Sequence, residues 1–356
     1  MAILIICEDM GSFNNVFPVG KILEEYNYEV VWIPRGMALY TLSKMGVSFE
    51  KFLNDKDIFK KYPCPDAIIG GFSGSGMEQK MFLTAVDLGI KCPRIYLPDG
   101  WGGWCFMIKW EDCLPEYVCV NDTFDRDLTL RGWANLTEDK IFITGWPAFD
   151  IYAKFDFESE RRKMVLDWGL EGPTIFFVGT VEYTGATFKN VVDSLVLFDK
   201  KLNLIFRCHP NMDKQSSDLQ KRLWMEAISK ARAFDKIRVI EDNNSSSVLS
   251  TLAVADVVMS DISTLLNVAA TLGKFNVSVL FPGSGKECFE RVYPGLKEPP
   301  IVTLKCGDLA CDHEDLYEII SDWLDNGNKF FPKQKEIFKM DGKNTIRVVE
   351  VIKKLL

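Results

Sequence analysis

Val254–Phe281 reads VADVVMSDISTLLNVAATLGKFNVSVLF, and its order of patterns decides the fold. Val254–Met259 is an apolar run of strand length. A short polar stretch, Ser260 to Thr264, follows it. The spacing then predicts a helix over Ser263–Leu272, stopped by Gly273, before a second apolar run at Asn276–Phe281. Strands that are apolar on both faces and separated by helices belong to a parallel sheet covered on each side.

Working outward, the same alternation runs along the whole chain. Ahead of this stretch lie strand-like Thr174–Gly179, a helix over Thr187–Phe198, strand-like Asn203–Cys208, a helix over Asp218–Ala231 and strand-like Ile237–Ile240. A charged helical segment, ending at Gly169, separates this series from an earlier one. That earlier series comprises Ala2–Cys7, a helix over Pro18–Tyr26, Tyr28–Ile33, Asp66–Gly70, a helix near Glu78–Leu88, Pro93–Leu97, Tyr117–Asn121 and Lys140–Thr144. The expected class is α/β, with two doubly wound, Rossmann-like domains facing across a cleft. Their expected bounds are 1–155 and 156–342, with a final helix, 343–356, packing back on the first domain. A length of 356 residues suits two cores better than one.

Composition narrows the function classes. The chain is 47% hydrophobic and 26% charged, with a net charge of −8. No basic stripe overrides that average, so no nucleic-acid partner is expected. An anionic small ligand is compatible, because a cleft can be locally positive on an acidic protein. No run approaches the ~20 apolar residues of a spanning helix. The start, Met1 to Cys7, reads as a core strand and not as a leader. A cytoplasmic protein is therefore expected, with room for a peripheral membrane contact and for a homo-oligomer. Cys7, Cys119 and Cys208 sit in apolar runs. Cys92, Cys105, Cys113, Cys288, Cys306 and Cys311 show no C-x-x-C spacing. They read as reduced, small hydrophobes in a reducing compartment. With His209 and His313 the only histidines, a histidine-rich metal site is excluded and no metal is expected.

Ligands of open α/β sheets bind outside the carboxyl ends of the strands, which directs attention to strand-end loops. In Met259–Thr264 the backbone N–H groups at a helix start favour a phosphate, and Ser263 and Thr264 add hydroxyl donors. Ser260 and Asp261 belong to the same loop. Plain helix capping by Asp261 or Ser263 explains part of it equally well. Arg207 and His209 have the spacing to face one way at the end of a strand that Pro210 stops. An arginine suits phosphate oxygens, and a histidine donates a hydrogen bond or acts as an acid. In Leu97–Trp104, LPDGWGGW, Asp99 could be a general base or a turn cap, and Trp101 and Trp104 could wall a sugar or a base. Asp9, Gly11 and Ser12, after the first strand, could meet an acceptor or form a solvated turn. Glu182 and Thr184, after Thr174–Gly179, could touch a ribose. Gly70–Gly76 is glycine-rich, but neither it nor the Gly11 loop fits the dinucleotide fingerprint. Pro282–Glu287 lacks the spacing of a triphosphate loop.

Three segments carry a resemblance. Lys140–Pro147, KIFITGWP, is similar to a strand closing the first domain of several GT-B families. Arg207–Pro210 resembles the strand-end His-Pro of relatives of CDP-glycerol glycerophosphotransferase and UDP-N-acetylglucosamine 2-epimerase. Ala255–Thr264, continuing through Ala269-Ala270 to Leu272-Gly273-Lys274, resembles their element of the same order. The resemblance implies a GT-B architecture and an enzyme that transfers a sugar or polyol phosphate from a nucleotide-diphosphate donor, such as a UDP-sugar, to an unknown acceptor. It further implies a donor diphosphate at Ser263 and Thr264, contacts from His209 and Arg207, an acidic role at Asp99, and no required cofactor. A UDP-sugar 2-epimerase or hydrolase is the alternative; a non-catalytic nucleotide-sugar-binding module is a third. Two departures stand out. LPDGWGGW replaces the epimerases' hvEAG pattern, and Asn267 and Val268 stand where a ribose-gripping carboxylate would fall.

Overall fold

The computed structural model describes residues 2–51, 54–104, 115–133, 136–209, 212, 216–242, 247–338 and 340–356; the side chains of residues 103 and 104 lie outside what it describes. Cys105, Cys113, Pro210 and the Trp104 side chain thus fall outside the described residues. The chain divides into two compact units, Met1–Lys154 with Met340–Leu356, and Phe155–Lys339.

In the first unit the strands are β1 (Ala2–Cys7), β2 (Glu29–Pro34), β3 (Ala67–Gly70), β4 (Arg94–Tyr96), β5 (Tyr117–Val120) and β6 (Ile141–Ile143). Its first helices are α1 (Met10–Glu25), α2 (Gly36–Met45), α3 (Asp55–Lys61), α4 (Met77–Asp87) and α5 (Thr123–Gly132). All six strands are parallel, in the order β2-β1-β3-β4-β5-β6. Period-two alternation sends Leu4 and Ile6 of β1 into one core layer, and Ile3, Ile5 and Cys7 into the other. The fully apolar, fully buried β1 is what a strand covered on both faces requires.

The second unit holds α6 (Phe157–Trp168), β7 (Thr174–Val178), α7 (Thr184–Leu195), β8 (Leu202–Arg207), α8 (Asp218–Ala233), β9 (Ile237–Glu241), α9 (Val248–Val254), β10 (Val257–Ser260), α10 (Leu265–Thr271) and β11 (Phe275–Val279). It continues with α11 (Gly285–Val292), α12 (Pro300–Thr303), β12 (Asp308–Ala310), α13 (His313–Asn326) and α14 (Phe331–Ile337). The sheet is parallel, in the order β12-β11-β10-β7-β8-β9. Numbered within the unit, this is 6-5-4-1-2-3, the Rossmann order. Phe177, Phe188, Phe206 and Trp224 form its aromatic centre, with ring centroids 4.4–5.9 Å apart.

The last helix, α15 (Asn344–Leu355), belongs to the first unit, where Val348, Val349 and Ile352 are fully buried. Burying each stabilises the unit by about 1.5–3 kcal/mol. Asp150 sets the start of this helix, accepting the N–H groups of Asn344 (2.9 Å) and Thr345 (2.7 Å). Gly145 makes room for it: its φ is +78°, and a Cβ there would lie 2.2 Å from Asn344 Oδ1.

Several elements depart from the sequence expectation. Helix α1 starts at Met10 and runs through Pro18, whereas the pattern starts a helix at Pro18 itself. Packing of Phe13, Val16 and Val19 into the core outweighs the backbone donor that proline lacks. Helices α2, α3, α5, α9 and α11 to α14, and strand β12, lie where the sequence pattern gives no element. Of the eight described cysteines, all free, five are buried. Among the described residues no helix is long and apolar enough to cross a membrane.

Candidate functional site

A doubly wound sheet has a switch point, where the strand order reverses and the loops diverge. In the first unit it lies between β1 and β3, and in the second between β7 and β10.

At the first switch point the loop after β1 meets the loop after β3. The Asp9 N–H donates to Ser73 Oγ (3.0 Å), and the Asp9 carboxylate accepts the Gly74 N–H (2.8 Å). The Ser75 hydroxyl bonds to Glu8. Asp99, at the end of the segment after β4, lies directly against Gly11, where a Cβ would fall 1.8 Å from Asp99 Oδ2. Glycine is therefore required at position 11 for this approach. Asn15 anchors the same corner, giving Nδ2 to Pro98 O (3.0 Å) and accepting from Ala148 N (3.1 Å). Asp9, Gly11 and Asp99 thus share one sheet edge.

Two residues expected at this rim, Ser12 and Trp101, make their hydrogen bonds within the protein. Ser12 is fully buried, and its hydroxyl goes to Glu78 (2.8 Å). Trp101 is 2% exposed, donates Nε1 to Asp122 (2.9 Å) and packs edge-on against Trp146. Its ring is a core element and not an open wall, because the indole is worth more buried with its N–H satisfied. Asp125 holds the adjoining turn, accepting Gly102 N (2.6 Å) and Asn121 N (2.8 Å); burial raises its carboxyl well above the usual range.

The second unit shows a similar division. Thr180 bridges the two loops of the switch point, donating Oγ1 to Asp261 Oδ2 (2.8 Å). Asp261 also accepts the Ile262 N–H (2.6 Å), and burial raises its carboxyl. Ser260 is buried and gives its hydroxyl to Val178 O (2.7 Å). Thr184 is buried and accepts the Thr180 N–H (3.1 Å). Both are buried and make their hydrogen bonds within the protein. Ser263 is half-buried and takes the Leu265 N–H (3.2 Å), while Thr264 is exposed at the start of α10.

Arg207 is committed within the protein. Its Nε (2.9 Å) and Nη2 (2.5 Å) meet Asp242 Oδ2, and Nη2 also reaches Thr251 (3.2 Å). Its side chain is 12% exposed against 0% for Asp242. The guanidinium that the sequence assigns to a phosphate is ion-paired with a buried carboxylate 35 residues further along the chain. His209 follows β8, half-buried, and desolvation lowers its pKa, favouring the neutral ring. Glu182 is ion-paired with Arg291 of α11. Cys288, one turn before Arg291, lies 3.7 Å from Arg291 Nη2, and burial raises its thiol.

Sequence reasoning missed Glu78, Asp125, Asp242 and Arg291. Only Glu78 and Asp125 carried a local signal, each being an acid in the first turn of a helix. Among the described residues no group of three or more His, Cys, Asp or Glu is arranged to hold a metal ion.

No family model and no curated protein matches the sequence. Solved structures do match over the whole chain. The Staphylococcus aureus MnaA–UDP co-structure has a TM-score of 0.72 at 13% identity, covering 100% of this chain and 97% of that one. UDP-GlcNAc 2-epimerase from Neisseria meningitidis, bound to UDP-GlcNAc, gives 0.69 at 13% identity, covering 99% and 100%. MurG from Acinetobacter baumannii gives 0.61 at 15% identity, covering 99% of each chain. The correspondence is one of fold: the chain has the GT-B architecture of two Rossmann-like units, near that of the UDP-GlcNAc 2-epimerases.

Proposed function

We propose that the chain binds a UDP-sugar and acts at its sugar–diphosphate linkage as an enzyme of the 2-epimerase or hydrolase kind. The observation that supports this most is the end-to-end fold match to a UDP co-structure and to a 2-epimerase bound to UDP-GlcNAc. Breaking the bond between sugar and diphosphate builds negative charge on the departing UDP. The turn at 262–264, with the Ser263 and Thr264 hydroxyls, is assigned to stabilise that charge. A neutral His209 would donate a hydrogen bond to it. In the first unit the proton transfer is assigned to Asp99, a carboxylate at the end of the loop after β4, whose Oδ2 lies against Gly11. Asp9 lies on the same edge.

Transfer to a separate acceptor is the second reading. It is favoured by the match to MurG and by Asn267, a neutral, buried side chain where the 2-epimerase pattern has a carboxylate.

Thermal shift with UDP and UDP-GlcNAc tests binding, since a ligand at a hundredfold excess over its Kd stabilises the native state by ~2.7 kcal/mol. Ser263→Ala/Thr264→Ala should shrink the shift. Product analysis after incubation with UDP-GlcNAc then separates the readings. An epimer or free sugar with no added acceptor supports the first, and turnover only with an acceptor supports the second. Absence of any shift with UDP refutes both.

A further inference from the structure

One buried carboxyl ties together the two loops at the switch point of the first unit. Glu78, in the first turn of α4, is fully buried. Its Oε1 accepts two hydroxyls, from Ser12 on α1 (2.8 Å) and Ser73 on the loop after β3 (2.6 Å). Ser73 in turn accepts the Asp9 N–H, and Asp9 takes the Gly74 N–H. Gly71 closes tightly over Ser12, where a Cβ would fall 2.2 Å from the hydroxyl. Two of the links between the 9–12 and 71–76 segments, through Ser12 and Ser73, meet at this side chain. The other oxygen, Oε2, is buried with no hydrogen-bond partner. The titratable groups that reach Glu78 are Glu8 and the Cys7 thiol. Gly70 of β3 and Ser12 of α1 lie against it, and among the described residues no lysine or arginine pairs with it.

We infer that Glu78 is the positioning residue of this loop pair: carrying its proton it holds the 9–12 and 71–76 segments closed, and on ionising it releases them. An ionised carboxylate has one oxygen served by two hydroxyls and another buried without a hydrogen-bond partner. A buried half-charge without a partner is costly, and opening the loops to water relieves it. Burial accordingly pushes the Glu78 carboxyl from 4.5 to about 7. Asp9 and the Gly11–Asp99 contact sit on the segments so held, so the proton on Glu78 sets the geometry of the site proposed above.

The test reads the ligand-free protein, so it can fail while the proposed function stands, and succeed while that function fails. Hydrogen exchange of the amides at 73–76 is measured between pH 6 and pH 8 and corrected for intrinsic base catalysis. If the open form titrates near 4.5 and the closed form near 7, the opening equilibrium rises about tenfold over that interval. Glu78→Gln, neutral at every pH, should show no rise. Ser73→Ala, which keeps the acid but removes one hydroxyl from its anion, should move the rise to higher pH. A flat profile in the wild-type chain overturns the inference, whether or not Glu78→Gln folds. So does a tenfold rise that persists in Glu78→Gln.

Discussion

Replacing Asp242 with alanine is expected to destabilise the second unit by about 3–5 kcal/mol. The magnitude follows from burial. The Arg207 side chain is 12% exposed and that of Asp242 0%, so water screens neither charge well. One carboxylate oxygen takes both Nε and Nη2 of Arg207, and the Thr251 hydroxyl as well at 2.5 Å. Without it the guanidinium stays where β8 and α9 enclose it, beside a neutral hydroxyl that cannot balance its charge. An exposed pair such as Glu182–Arg291 would contribute only about 0–1 kcal/mol. Removing both charges, with Arg207→Met and Asp242→Leu, deletes the desolvation penalty together with the attraction, and should return stability to within about 2 kcal/mol of the wild type. Native-state hydrogen exchange at Leu204, Ile205 and Phe206 reports this, because β8 lies between β7 and β9 and its amides open with the whole unit. At 1.36 kcal/mol per factor of ten, Asp242→Ala should lower their protection by about two to four powers of ten. A loss below tenfold would refute the reasoning. A double variant as unstable as the single one would show that shape, not charge, is what the pair supplies.

Other outcomes follow from close contacts and titrations. Gly11→Ala should force the Asp99 carboxyl away and lower turnover of a UDP-sugar about a hundredfold, with calorimetry showing a smaller effect on folding. Asp150→Ala should free the start of α15, lowering its stability by about 1–2 kcal/mol and hastening proteolysis near residue 344. Gly145→Ala combines a left-handed φ with a clash on Asn344, and calorimetry should show a loss above about 2 kcal/mol. For Glu78 the folded-state pKa lies above the unfolded value. Its favourable contribution is therefore fully present below about pH 4.5 and lost as pH rises through about 7. Measured against Glu78→Gln, the wild type should lose up to about 3 kcal/mol across that window. Parallel stability curves for the two chains would exclude the assignment.

The alternation of short apolar runs with amphipathic stretches was enough to read an α/β, doubly wound chain, because strand and helix periodicities are local properties. Ala2–Cys7 and Ile175–Val178 are apolar at every position, which only a strand covered on both faces can use. The strand-end loops were legible for the same reason. What each polar residue in those loops does was not, because its partner lies far along the chain: Ser12 finds Glu78 at a separation of 66 residues, and Arg207 finds Asp242 at 35. An arginine at a strand end and a serine after a strand read alike whether they face a ligand or a buried carboxylate. Tertiary packing alone decided between the two, by setting which charges were stripped of water and had to be met from within the protein.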